Sequence, residues 1–134
     1  MTRTAANALF TALLCFLGSG CRSPEKPVAT SCPEDRMENQ LLRFRETTNP
    51  TLSDREVGIS NLFERDLPDA SGAIARRVSA SLSIYDPATR DEREEIVVAG
   101  SEVTIGADRY CVVAIDLPPD EPGWVSFRKL ATPR

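Results

Sequence analysis

The sequence contains no histidine among its 134 residues. This absence excludes the commonest general base, the Ser-His-Asp catalytic triad and every metal site in which histidine is a ligand. The chain also has no G-x-S-x-G nucleophile motif, no glycine-rich phosphate-binding loop and no repeat of solenoid length. We therefore predict that the protein is not an enzyme and that it uses no cofactor and no metal.

Basic residues are fewer than acidic residues. The chain has 16 Lys and Arg against 20 Asp and Glu, which gives a formal net charge of −4. Removal of an N-terminal signal that contains Arg3 takes away one positive charge, so the net charge becomes −4 − 1 = −5. Because nucleic-acid binding depends on a basic surface, we predict that nucleic acid is not a partner.

No apolar run is long enough to cross a bilayer. Residues 5–17 are apolar or small, but a helix needs about 20 such residues to span a hydrocarbon core of about 30 Å. The run follows Arg3, and a positive charge ahead of a short apolar segment is typical of a secretory signal peptide. We predict that residues 1–20 are this signal.

The residues after the apolar run indicate how the chain is anchored. Gly18, Ser19 and Gly20 precede Cys21, and Leu17 lies four places before that cysteine, one more than is usual. This segment resembles the signal of bacterial lipoproteins, in which the cysteine is acylated and becomes the mature N-terminus. The alternative is an ordinary secretory signal with a coincidental cysteine.

The resemblance has consequences for location. It implies that Cys21 carries lipid and holds the protein on a membrane of the bacterial cell envelope, facing the periplasm or exposed at the surface. Arg22, rather than an aspartate, follows the cysteine, which by the same resemblance implies the outer membrane rather than the inner one. Residues 21–31 are rich in proline and serine and are predicted to form a flexible tether, with residues 32–134 as one domain.

The cysteines then form one possible pair. Cys15 leaves with the signal and Cys21 is taken by lipid, so Cys32 and Cys111 remain in an oxidising compartment. We predict a structural disulfide between them. A reactive thiol is the alternative, but the chain has no C-x-x-C motif and no histidine to activate one.

Hydrophobic residues beyond residue 40 recur with a period of two. The clearest run is residues 74–84, in which even positions are mostly apolar, with Arg76 as the exception. Turn-forming Gly, Pro and Asp residues separate such runs. This pattern predicts an all-β fold of about seven short strands, an antiparallel meander that closes into a barrel or sandwich. Residues 33–42 are predicted to contain a short helix or turn before the first strand.

The last hairpin gives a candidate binding patch. If Val113 and Ile115 face inward opposite Phe127 and Val125, polar and aromatic side chains collect on the outer face. The predicted patch comprises Tyr110, Asp116, Trp124, Ser126 and Arg128. Exposed aromatic residues beside charges are typical of recognition surfaces. The alternative is that Trp124 packs over the hairpin end next to Gly123 or lies under the lipid-proximal tail.

Acidic residues suggest weaker possibilities. Residues 91–95 are one acidic run, which favours a solvated hairpin end over a calcium site because the oxygen ligands lack an ordered spacing. Asp116, Asp120 and Glu121 allow a carboxylate-dependent hydrolase, although so small a domain seldom encloses a cleft.

The preferred prediction is an envelope interaction or scaffold module with a protein partner, and the alternative is a small-ligand or glycan-binding module.

Overall fold

The structure, a computed structural model, describes residues 31–69 and 71–132. The predicted signal peptide, Cys21 and all of the tether except Ser31 lie outside the described residues. The described chain forms eight strands and one turn of 3-10 helix at Glu34–Arg36. The strands are β1 (Met37–Arg45), β2 (Thr51–Leu52), β3 (Arg55–Pro68), β4 (Ile74–Tyr85), β5 (Glu92–Val97), β6 (Glu102–Ile105), β7 (Asp108–Asp116) and β8 (Trp124–Leu130).

These strands form two antiparallel sheets of four strands each, which confirms the predicted all-β class. The first sheet has the strand order β1-β8-β7-β6, and the second has the order β2-β3-β4-β5. Consecutive strands are neighbours from β2 to β5 and from β6 to β8, as in a meander. The exception is β1, which pairs with the last strand. One of the sheets curls into a half-barrel.

A single main core lies between the two sheets. Every strand contributes apolar side chains from one face only, as the period of two predicts. The fully buried members include Val57, Ile59, Leu82, Ile105, Val112, Val125 and Phe127. The ring of Phe127 lies 6.1 Å from that of Phe44, centroid to centroid, so β8 and β1 are joined by aromatic packing as well as by backbone hydrogen bonds.

The strand missed by the sequence pattern is the two-residue β2. It pairs with the start of β3 across a tight turn at Ser53 and Asp54, whose φ angles of 48° and 61° are both positive. Two positive φ angles are what a type I′ hairpin turn requires, although the usual residues there are Asn and Gly. A strand of two residues is too short to show any alternation in the sequence.

Arg76, the exception in the sequence pattern, lies where the β3–β4 hairpin is exposed. It pairs in register with Asp66, and its guanidinium is 2.9 Å from Glu64 and 3.7 Å from Asp66. The pairing shifts register between Ser60 and Phe63. A charged residue is tolerated at this apolar position of the pattern because its side chain is exposed and paired with two carboxylates.

The N-terminal segment packs against the first sheet, and the predicted short helix or turn before the first strand is confirmed. Cys32 and Cys111 form the predicted disulfide, with Cα atoms 5.9 Å apart. The backbone N–H of Ala131 donates to the carbonyl of Arg36 at 2.6 Å. These contacts attach the start of the described chain to β7 and to the end of β8.

The alternation that predicts inward-facing Val113 and Ile115 also predicts that Cys111 points into the interior, and this prediction is wrong. Val112 is the neighbour that opposes Phe127 and joins the main core, so Cys111 points to the outer face of the first sheet. Its side chain is nevertheless fully buried, because the disulfide holds the Cys32 segment over it. The cause is a bulge in β7.

Candidate functional site

Trp124 is the first residue of β8 and lies on the outer face of the first sheet, because the next residue, Val125, faces the core. In register it stands between Arg45 on β1 and Asp116 on β7. The indole is half-buried. The pairing of three strands therefore places one large aromatic ring among charged side chains.

Two arginines lie over this ring. The Arg43 Cζ is 4.4 Å from the indole centroid and the Arg45 Cζ is 5.9 Å from it, both within cation–π range. The Arg43 Nη2 also lies 3.8 Å from the Asp116 Oδ2. We call the set Arg43, Arg45, Asp116 and Trp124 the Trp124 face. Contacts of these kinds on an exposed surface contribute about 1 kcal/mol or less each, so a partner can replace them at little cost.

The start of β8 is fixed by close packing below the indole. A Cβ on Gly123 would collide with the Leu62 side chain and lie 2.8 Å from the Asp116 carbonyl oxygen. The Glu46 carboxylate accepts a hydrogen bond from the Leu62 N–H at 3.0 Å and lies 3.5 Å from the Gly123 nitrogen. Gly123 is thus held against the second sheet, while the next side chain, Trp124, is directed outward.

The surface continues along β1. Leu41 lies on the same side of β1 as Arg43 and Arg45, is 47 % exposed, and pairs with Arg128 of β8. Among the described residues no strand pairs with the other edge of β1. With two arginines against one aspartate the Trp124 face is basic, whereas the whole chain has a net charge of −4.

The predicted register of the last hairpin holds at one end only. Ile115 opposes Val125 and Asp116 opposes Trp124, as predicted, but Val112 rather than Val113 opposes Phe127. The register shift between Val112 and Ala114 leaves one extra residue in β7. A bulge of one residue reverses the faces of all positions before it.

Tyr110 is therefore wrongly placed in the predicted patch. It is 4 % exposed, belongs to the main core, and lies on the opposite side of the sheet from Trp124. Ser126 lies on the predicted outer face, but it is buried. Arg128 is half-buried, and its Nε is buried without a hydrogen-bond partner among the described residues. Of the five predicted residues, only Asp116 and Trp124 are part of the Trp124 face.

Sequence reasoning missed Arg43 and Arg45. The alternation of these residues with Leu42 and Phe44 predicts that the two arginines share an outward face. Their position beside Trp124 follows from the pairing of the first and last strands, and no local pattern signals that pairing.

The predicted carboxylate alternatives gain no geometric support. Asp116 is paired with Arg43, and Asp120 and Glu121 are exposed in the turn before β8. Residues 92–95 of the acidic run form the start of β5, and only Asp91 stays in the hairpin end. No group of three or more Cys, Asp or Glu side chains within residues 31–69 and 71–132 is arranged to hold a metal ion.

A polar cluster at one end of the sandwich joins the β2–β3 turn to β7. The Ser53 hydroxyl donates to the Asp108 carboxylate at 2.5 Å and lies 2.8 Å from the Tyr110 hydroxyl, and Lys129 is 3.4 Å from the same carboxylate. The Asp108 hydrogen bond raises the pKa of Lys129. The charged form of the lysine and its ion pair with Asp108 are thereby favoured.

The same cluster predicts a pH dependence of stability. The hydrogen bond from Ser53, followed by the Lys129 interaction, lowers the pKa of Asp108 below 3.8. The stabilisation that the ionised Asp108 carboxylate gives to the folded state is therefore complete at neutral pH. It is lost as the pH falls through the lowered pKa of Asp108. We expect Asp108→Asn to lower the melting temperature at pH 7, and we expect this difference to narrow below about pH 4.

Thermal unfolding followed by circular dichroism at several pH values measures the effect. The control is Asp120→Asn, which changes an exposed carboxylate and should leave the melting temperature nearly unchanged throughout. A difference between wild type and Asp108→Asn that stays constant from pH 7 to pH 2 would contradict the prediction.

Comparison of the chain with protein-family models, with curated proteins and with solved structures finds no significant match in any of the three. Within the part of the chain that the structure describes, no helix has the length and hydrophobicity required to traverse a lipid bilayer.

Proposed function

We propose that the protein is a lipid-anchored interaction module of the bacterial cell envelope that binds a partner protein through the Trp124 face. The observation that carries this proposal is the placement of two arginines over an outward-facing indole beside the edge of β1 with which none of the described strands pairs. Trp and Arg are the residue types most enriched among the side chains that dominate binding energy at protein interfaces.

The charge of this surface favours an acidic partner. Within the Trp124 face two arginines, Arg43 and Arg45, stand against one carboxylate, Asp116, so a negatively charged segment gains favourable electrostatic contacts on approach. The indole offers a large apolar area between the charges. An acidic partner segment with an apolar side chain at its centre complements both features.

The edge of β1 supports a specific mode of binding. An extended partner segment that hydrogen-bonds to the backbone of β1 adds a strand to the first sheet. Its alternate side chains would then lie beside Leu41, Arg43 and Arg45 on the outer face. The two arginines also protect this edge against unselective strand pairing, because charged side chains discourage aggregation of edge strands.

The lipid determines where such a partner is found. From Cys21 to Cys32 the chain has 32 − 21 = 11 residue steps, which span no more than about 40 Å when fully extended. The disulfide attaches Cys32 to β7 of the sheet that carries the Trp124 face. A partner that lies on the membrane, or within about 40 Å of it, is therefore within reach.

Site-specific photocrosslinking in the native cell tests the interaction. A photoreactive residue at position 41 reports on the Trp124 side, and one at position 96 reports on the other sheet. Leu41 and Ile96 are 47 % and 41 % exposed, so they form a matched pair. We expect a discrete crosslinked product from position 41 only, and we expect Trp124→Ala to reduce its yield severalfold. Equal crosslinking from both positions would contradict the proposal.

Cys21→Ser tests the anchor. Because a serine cannot form the thioether that carries the lipid, we expect loss of fatty-acid labelling, accumulation of the uncleaved precursor and a changed membrane fractionation. The β-domain should keep its melting temperature, since Cys21 lies before the disulfide-bonded segment. Unchanged fatty-acid labelling of the serine variant would refute the lipid anchor.

A further inference from the structure

A groove of about 490 Å³ lies on the outer face of the second sheet, away from the Trp124 face. Most of its lining side chains are polar, and they come from β3, β4, the start of β5 and the segment that follows β1. The groove is lined by Thr47, Asn49, Glu56, Gly58, Ile59, Ser60, Ser83, Tyr85 and Glu92. Its size is within the range of small-molecule sites, roughly 300–1,000 Å³.

The floor of the groove is open because residue 58 has no side chain. Gly58 pairs in register with Ser83 in the middle of the sheet. A Cβ on Gly58 would lie 3.1 Å from the Asn49 side-chain oxygen and 3.5 Å from the Ser83 Cβ. The Asn49 amide therefore extends over the glycine, and a Cβ at position 58 would make it shift by a few tenths of an ångström.

The segment that carries Asn49 is held firmly beside β3. The backbone N–H of Thr47 donates to the Ile59 carbonyl at 2.8 Å, and the Ile59 N–H donates to the Thr48 carbonyl at 3.1 Å. Val57 N–H donates to the Pro50 carbonyl at 2.8 Å. This wall of the groove is thus formed by backbone pairing rather than by a free loop.

Beside the Gly58–Ser83 pair, one aromatic residue on β4 is flanked by two glutamates, one on β3 and one on β5. Tyr85 pairs with Glu56 on one side and with Glu92 on the other. The Ser83 hydroxyl donates to the Glu92 carboxylate and so orients it. The side chains of Asn49 and Tyr85 make no hydrogen bond to any of the described residues, so their polar groups are available to a ligand.

This lining restricts the chemistry of a ligand. The carboxylates Glu56 and Glu92 repel anions, and the polar lining does not suit an apolar compound. A metal cation makes no hydrogen bond and an ammonium-type cation donates but accepts none, so either would leave the hydroxyl and amide donors of the groove unmatched. A sugar hydroxyl both donates and accepts, and the apolar face of a sugar ring packs on an aromatic side chain.

We infer that this groove binds a neutral saccharide, with Tyr85 contacting a sugar ring and Asn49, Glu56 and Glu92 hydrogen-bonding its hydroxyl groups. The inference concerns the second sheet and does not depend on the lipid anchor or on the protein partner of the Trp124 face. The protein would then contact a glycan on one face while its other face remains available to a partner.

Titration of the ¹⁵N-labelled protein, without its signal peptide, tests the site. The probes are two neutral oligosaccharides, N-acetylglucosamine tetramer and maltotetraose, and one anionic oligosaccharide, tetragalacturonate. Each is added to about 10 mM, which detects binding with a Kd as weak as about 1 mM. We expect at least one neutral probe to shift the amide resonances of Gly58 and Tyr85. Tetragalacturonate should leave these resonances unchanged.

Two variants localise the binding. Tyr85→Ala removes the ring and should weaken binding about tenfold, the equivalent of about 1.4 kcal/mol. Gly58→Ala displaces the Asn49 amide and should also weaken binding, while the melting temperature stays within a few degrees of wild type. Trp124→Ala, on the first sheet, serves as the matched aromatic control and should bind as wild type does.

Several results would overturn the inference. They are the absence of shifts with both neutral probes, equal binding of tetragalacturonate, or shifts that survive in Tyr85→Ala. Each of these results leaves the crosslinking test of the Trp124 face unaffected, so the two proposals fail separately.

Discussion

Cys111→Ala is expected to lower the melting temperature by about 10–20 °C. The disulfide closes a loop of 79 residues, which on the chain-entropy model is worth roughly 4 kcal/mol, and native disulfides in small secreted domains contribute about 2–5 kcal/mol. A domain of this length loses several degrees for each kcal/mol. Thermal unfolding of the mature protein followed by circular dichroism measures the change.

The variants of this disulfide form an internal control. Cys32→Ala, Cys111→Ala and the double variant all remove the same crosslink, so their melting temperatures should agree within a few degrees. Wild type unfolded in the presence of a reducing agent should match them. Two free thiols in the unreduced mature wild-type protein would contradict the prediction.

Phe127→Ala is expected to destabilise the domain by about 3–5 kcal/mol. Phe127 is the largest fully buried side chain in the described part of the chain, and its ring packs against Phe44. Its truncation leaves a cavity at the place where β1 and β8 are joined. This loss is a large share of the roughly 5–15 kcal/mol that stabilises a typical domain. The midpoint of urea unfolding measures it.

Phe63→Ala provides the matched control, because Phe63 is the same residue type but is 46 % exposed. Its ring contacts the Arg65 guanidinium, 4.1 Å from the centroid, so we expect a loss of about 1 kcal/mol or less. If Phe127→Ala fails to fold, Phe127→Leu keeps most of the volume and should cost about 1 kcal/mol. Equal stabilities of Phe127→Ala and Phe63→Ala would show that the core is not centred on Phe127.

The two proposed surfaces lie on different sheets of one small sandwich. The disulfide joins the start of the domain to the first sheet, so the proposed lipid tether and the Trp124 face belong to the same layer. The groove beside Gly58 lies in the other layer. If the Trp124 face binds a protein and the groove binds a saccharide, the protein connects a membrane-associated partner to a glycan. The photocrosslinking and titration experiments test these two roles separately.

The amino-acid sequence alone determined the fold class and the disulfide partner of Cys32. Alternation of polar and apolar residues is a local property of a half-buried strand, so it located seven of the eight strands. The disulfide could be predicted by elimination among the four cysteines. With Cys15 predicted to leave with the signal and Cys21 predicted to carry lipid, only Cys32 and Cys111 remain, and they form the disulfide in the structure. Pro33 and the acidic residues after it also signalled the short helical turn before β1.

Only the tertiary structure decided which side chains meet. Residues 110–115 are mostly apolar, so no alternation marks the bulge that buries Tyr110 in the core and turns Cys111 outward. Arg43 and Arg45 reach Trp124 because β1 pairs with β8, about 80 residues away in the chain. The alternation of polar and apolar residues shows which face of a strand is buried. Strand order and register depend on contacts between residues that are distant in the sequence, and the alternation carries no information about those contacts.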